Sequence, residues 1–350
     1  MSRDNTRILK KTNLKGLLEN LLKDHLVFGP VRKGKTLLFD RIESVDTVVL
    51  GPGNTMNSPK DVLFPQTERL FAYRHGEAGV KIDEPSKEEK GSVLIGLRPC
   101  DARGLVLLDK VFGEPLQDPY YSEKRSQTFI IGMACEKPDP KCFCLALGSG
   151  PCSPEGSDLL LLDLGDRYLV KAGNPKGIAF LENKAFEEAD DEALARESIV
   201  KKEAEDSMKA RSMLEPVGTG ETLEKLMENL FEDPIWNDIT ESCLGCGICT
   251  YLCPTCHCFD ILDEVGQSTG ERIRIWDSCQ FPLFTHQASG VNPRPSAKER
   301  FRQRIMHKLC YLPQNGNLTG CVGCGRCVTE CPVNLDIREV IQKISAREAQ

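Results

Sequence analysis

Two cysteine runs with one internal spacing lie in the C-terminal third of the 350-residue chain, Cys243/Cys246/Cys249/Cys253-Pro254 and Cys321/Cys324/Cys327/Cys331-Pro332. The repeat is wider than the thiols. Glu241–Pro254 aligns without gaps on Thr319–Pro332, and Gly245 and Gly247 match Gly323 and Gly325. A loop with a thiol at every third position wraps around something larger than a side chain, and its glycines leave the backbone free to do so. Whatever else it builds, this chain must close two such loops.

The spacing is the ligand grammar of two-cluster ferredoxins, in which three close cysteines hold one cubane and the fourth reaches across to the other. Interleaved in that way, Cys243, Cys246, Cys249 and Cys331 hold one [4Fe–4S] cluster, and Cys321, Cys324, Cys327 and Cys253 hold the second. Structural zinc also takes four thiolates, but it favours paired Cys-x₂-Cys knuckles over triplets. No base, nucleophile or open coordination position accompanies either run, so no catalytic residue is assigned and the pair reads as an electron wire. Residues 254–320 between the runs are far too many for an ordinary loop. An ordered insertion packed on the ferredoxin core is expected there.

Formal charge is −7, and no basic stripe is interleaved with aromatics, so a nucleic-acid partner is not expected. Apolar runs such as Ser92–Leu97 and Asp158–Asp163 fall far short of the roughly 20 residues that span a bilayer. The opening MSRDNTRILKK has no apolar stretch behind its charges, which gives no secretory leader. The 17 cysteines are odd in number and clustered, which argues against a disulfide scaffold and for a reducing, cytoplasmic setting.

Leu14, Leu17, Leu18, Leu21 and Leu22 share one face at a helical period and predict an amphipathic helix over 12–24. Strands are expected at Thr36–Phe39, Thr47–Leu50, Ser92–Leu97, Thr128–Gly132 and Asp158–Leu164, with Gly104–Phe112 helical and a hairpin returning through Arg167–Val170. The expected architecture is a mixed α/β (α+β) domain over 1–178, a helical connector over 179–235, and a two-cluster ferredoxin-like domain over 236–350 with a long insertion at 259–318. In the connector, Phe186, Ala189, Ala193, Ala195, Met208, Met213 and Leu214 give a weak helical face and Thr222–Phe231 a better one.

A third site is expected in the first domain. Cys100 and Cys135 each follow an apolar strand, where α/β domains place their sites. Asp101 reads as the N-cap of a helix over 102–112, and Cys142-Phe-Cys144 follows a loop stiffened by Pro138 and Pro140. Cys100, Cys135, Cys142 and Cys144 would hold a third [4Fe–4S] cluster, with zinc or buried free thiols as competing readings and Cys152 as spare or substitute. Cys256, Cys258 and Cys279 read mainly as packing or N–H···S support around the nearest cluster, and Cys310 stands alone. Phe301, Ile305 and Leu309 share a helix face. The surrounding Arg294, Lys298, Arg300, Arg302, Arg304 and Lys308 could face the clusters, solvent or a partner. Gly51-Pro52-Gly53 lacks the G-x-G-x-x-G spacing, so dinucleotide binding is not expected here.

Mid-chain motifs carry a family resemblance. They are Gly96-Leu-Arg-Pro-Cys-Asp-Ala-Arg103, Ala134-Cys-Glu-Lys-Pro138 with Cys142-Phe-Cys144, Cys253-Pro-Thr-Cys-His-Cys-Phe259, Trp276-Asp-Ser-Cys279 and Ala288–Pro295. With Ser58-Pro-Lys60 and Phe64-Pro-Gln66, they make nearly the whole chain similar to the beta (iron–sulfur) subunit of sulfhydrogenase-type soluble nickel–iron hydrogenases and to its counterpart in anaerobic sulfite reductase. The resemblance implies a relay subunit without chemistry on substrate. It would pass electrons between a FAD- and NAD(P)-binding reductase partner, where the flavin would reside, and a catalytic hydrogenase, sulfite reductase or other reductase partner. A flavin-containing iron–sulfur reductase acting directly on a substrate is the alternative.

Overall fold

The computed structural model describes residues 5–77, 79–85, 90–113, 115–214, 225, 227–316 and 319–348. In chain order its strands are β1 (Thr6–Lys10), β2 (Leu26–Lys33), β3 (Thr36–Arg41), β4 (Thr67–Gly76), β5 (Gly79–Asp83), β6 (Ser92–Leu97), β7 (Thr128–Met133), β8 (Leu159–Asp163), β9 (Arg167–Ala172), β10 (Phe186–Glu188), β11 (Phe259–Val265) and β12 (Thr269–Trp276). Two sheets result, one of order β10-β1-β9-β8-β7-β6-β2-β3 and one of order β11-β12-β4-β5.

The larger sheet is parallel at its centre, where β2, β6, β7 and β8 run together, and antiparallel towards its edges. Central strands covered on both faces need apolar side chains on both. β6 and β7 meet that need. Ile95 and Ile131 pack with Leu17, Leu18 and Leu21 of helix Lys11–Asp24. Their neighbours Leu94 and Ile130 point the other way, into Leu105 and Leu108 of helix Pro99–Gly113. The same strands leave Cys100 and Cys135 just beyond the carboxyl ends of β6 and β7.

Several expectations are corrected. Thr47–Leu50 is not a strand. A 3₁₀ turn covers Val45–Thr47, and Val48 makes a single bridge to Val31. The helix after β6 begins at Pro99, so Asp101 is not its N-cap but lies buried in the first turn. Phe186 belongs to β10 rather than to a connector helix. That helix is Asp191–Lys209, capped by the Asp190 carboxylate on the Ala193 amide at 2.8 Å, with Ala193, Val200, Ala204 and Met208 buried. In the expected Thr222–Phe231 helix, residues 222–224 and 226 lie outside the described residues, while Met227 and Leu230 enter the core.

The insertion does not pack on the ferredoxin core alone. Its hairpin β11–β12 pairs antiparallel with β4 from the first region. The buried Arg274 fixes that junction through ion pairs with Glu68 and Asp118, its guanidinium lying 5.1 Å from the Phe64 ring and 5.7 Å from Phe112. After the hairpin, helix Ala297–Met306 and the π-helical turn His307–Tyr311 enter a core with Trp236, Ile239, Ile337 and Ile341.

Candidate metal centres

Each cysteine triplet turns on its glycines. Gly245, Gly247, Gly323 and Gly325 all have left-handed φ, between +64° and +77°. Around the first triplet, Cys243, Cys246, Cys249 and Cys331 line one cleft of about 500 Å³ with Cys327, Gln280, Phe301 and Arg304. Cys246 is exposed, so this cleft meets solvent. The structure thus sets the fourth cysteine of the second run beside the first triplet.

In the second triplet Cys321 and Cys324 are buried, as is Cys253, and burial pushes Cys321 up to about 11 and Cys324 and Cys327 up to about 12, with Cys253 among the charges that act on all three and on Cys249 of the first triplet. The Cys253 Sγ lies 3.3 Å from Lys308 Nζ and 3.1 Å from Thr255 Oγ1.

Cys100, Cys135, Cys142 and Cys144 also come together, lining a cleft of about 280 Å³ with Asn54, Pro138, Met208 and Gly323. Burial pushes all four thiols up, Cys144 to about 12. Cys152 stays outside the cleft wall, although the Cys135 amide donates to the neighbouring Pro151 carbonyl at 2.8 Å. Cys256, Cys258 and Cys279 face a separate small cleft with His257, His307, Arg304 and Lys308. Cys310 is buried in the C-terminal core.

The first-domain thiols and the second triplet share a wall. The Phe143 amide donates to the Gly323 carbonyl at 2.9 Å, and Asn54 Nδ2 donates to the Cys324 carbonyl at 2.9 Å while reaching Cys142 Sγ at 3.5 Å. A Cβ on Gly323 would stand 2.5 Å from the Cys144 nitrogen. Arg326, inside the second triplet where the first carries Ile248, reaches Asp101 with a bidentate pair of 2.5 and 2.9 Å and the Thr55 carbonyl at 2.8 Å.

Cations decide what the thiols suit. Lys60, Arg304, Lys308 and Arg326 are each no more than 3 % exposed, yet among the described residues only Arg326 has a carboxylate partner. The buried Arg304 Nε has no hydrogen-bond partner among those residues, while another nitrogen of the same group approaches the Cys249 carbonyl at 3.4 Å. Buried charge of one sign with an orphaned donor demands an anion nearby. Thiolate-ligated iron–sulfur clusters carry that charge and offer sulfur acceptors, so the residues fit them. Thiols spaced as Cys-x₂-Cys-x₂-Cys triplets suit a multi-iron group better than a single zinc, which favours paired Cys-x₂-Cys knuckles.

Sequence reasoning leaves the facing of the insertion's bases open and misses Arg326, Asn54 and Thr55. The Ile248/Arg326 difference between otherwise matched triplets is the available signal for the first.

A mixed α/β region joined to two cysteine-triplet loops among buried cations defines an iron–sulfur electron-transfer subunit. The family described as the 4Fe-4S dicluster domain matches residues 242–335. Sulfhydrogenase 2 subunit beta of Pyrococcus furiosus is 34% identical over 321 residues, covering 91% of this chain and 92% of that protein. No solved structure matches. The chain belongs to the family of sulfhydrogenase beta subunits, and it binds [4Fe–4S] clusters. Among the described residues, no helix is long and apolar enough to cross a membrane.

Proposed function

We propose that the chain relays electrons through three [4Fe–4S] sites within a multisubunit oxidoreductase. Cys243, Cys246, Cys249 and Cys331 hold the outer site, and Cys253, Cys321, Cys324 and Cys327 the middle one. Cys100, Cys135, Cys142 and Cys144 hold the inner site. Clusters bound there supply one-electron exchange. The protein supplies insulation, charge and a fixed order. The carrying observation is the shared wall, where the Phe143 amide meets the Gly323 carbonyl at 2.9 Å. It ties the inner and middle loops together through their backbones, while Cys327 and Arg304 line the outer cleft from the middle side.

The relative's name, which makes it one subunit of a sulfhydrogenase, supports an assembly in which other chains do the chemistry. We assign this chain a flavin- and NAD(P)-binding reductase partner on one side and a catalytic reductase or hydrogenase partner on the other, in the cytoplasm. The purified chain should show reversible reduction but negligible turnover with NAD(P)H or hydrogen, and turnover should appear when both partners are added. Sustained NAD(P)H oxidation by the chain alone, with bound flavin demonstrated, would overturn the relay and favour the direct reductase.

A further inference from the structure

The three proposed sites stand in unlike electrostatic surroundings. At the outer site the buried Arg304 stands on the cleft wall, but Cys246 is open to solvent, which screens charge. The inner site has Asp101 within its first helical turn, and Glu136 and Asp139 line the adjoining cavity. Arg98 lies beside it, bonded to the carbonyls of Gly51, Gly53 and Ala134, and its charge acts on Cys135, but Asp101 and Glu136 act on the same thiol in the opposite sense. The middle site is buried, and Asp101, whose charge also acts on Cys324, is there paired with Arg326. Lys308 lies 3.3 Å from Cys253 Sγ, held by Thr255 Oγ1 at 2.9 Å and the Gly320 carbonyl at 2.8 Å. Among the described residues it makes no ion pair, so its charge is left for the sulfur.

A charged donor on a ligand sulfur stabilises added negative charge, and a dry setting magnifies the effect. We propose that the middle site is the most easily reduced stop of the relay, an electron well between the outer and inner sites, and that Lys308 is the positioning residue that makes it so. Either end then exchanges with a filled middle, and a single electron waits inside the protein rather than at a docking face.

This inference rests on the three-site reading, and one experiment separates the two. An anaerobic redox titration of the full cluster-loaded chain is followed by electron paramagnetic resonance, with Cys253→Ser marking the middle centre. The first centre reduced should be the one that Cys253→Ser perturbs. Lys308→Met should make that centre at least tenfold harder to reduce, about 59 mV for one electron, and leave the others in place. Lys308→Arg should restore it. Lys308→Gln, which keeps a polar donor without the charge, should behave like Lys308→Met and serves if that variant fails to load. If no centre responds to Cys253→Ser, the three-site reading falls and the proposal with it. A middle centre that is present but reduced last, or a shift shared equally by all centres, overturns the proposal alone.

Discussion

The amide of Phe143 and the carbonyl of Gly323 meet at 2.9 Å, joining by one hydrogen bond two loops whose cysteines come from distant parts of the chain. Phe143 sits between Cys142 and Cys144, and Gly323 lies between Cys321 and Cys324. The bond joins the two loops through their backbones, so no side-chain rotation alone separates them.

Gly323→Ala should break this wall. The glycine has φ of +67°, and a Cβ would meet the backbone of Phe143 and Cys144, which cannot move aside as a side-chain tip would. Loss of the inner site's iron, measured as iron and sulfide per chain, is the expected result. Gly34→Ala is the control. Its φ is +62° with nothing within 4 Å, so it should cost only about 1 kcal/mol of strain and no iron.

Cluster count follows from the three groups of thiols. About twelve irons and twelve sulfides per chain are expected if every group holds a cubane, falling to about eight of each in Cys135→Ser. A wild-type value near eight, unchanged in Cys135→Ser, would remove the inner site and spare the other two.

The Asp101–Arg326 pair tests how charge is held between loops. Both side chains are 3 % exposed. Removing one partner of a buried pair leaves a bare charge and costs on the order of 3 kcal/mol. Asp101→Asn should therefore lower the thermal midpoint more than the double change Asp101→Leu with Arg326→Met, which removes both charges. If the single variant proves as stable as wild type, the pair does not hold the loops together.

The His257 and His307 rings meet edge to face with centroids 5.5 Å apart, and burial holds both at about 4. Unfolded imidazoles titrate near 6.5, so between those values the unfolded chain binds protons that the folded chain refuses. Their stability contribution is complete above about pH 6.5 and falls with pH towards 4, by about 1.4 kcal/mol per unit per ring. His307→Gln should reduce the drop in unfolding midpoint between pH 7 and 5.5. An unchanged drop would mean the rings are not buried neutral.

The cysteine runs are readable in the sequence because their spacing is local and periodic, and β6 and β7 because strands covered on both faces are apolar throughout. Helix Ala297–Met306 is harder. Arg300, Arg302 and Arg304 look like a solvated face, and they are buried only because carbonyls, the Phe231 ring and the thiol sites receive them. Asp101 reads as a cap because its partner Arg326 lies far along the sequence. Thr47–Leu50 has strand-like composition, but the chain enters it from a 3₁₀ turn and pairs only once. The β4–β12 pairing leaves no signal at all, since β11 is exposed along its length and alternation cannot name a partner.

That pairing has a consequence for synthesis. The ribosome releases β4 and β5 long before β12, so the nascent chain carries an unpaired strand edge until the hairpin emerges. The thiols of Cys100, Cys135, Cys142 and Cys144 wait longer still, because the wall supplied by Gly323 comes near the end of translation. On the three-site proposal, iron would therefore reach the inner thiols only after nearly the whole chain is made, and a truncated product would present open thiols and a sticky strand edge to the cell's quality control.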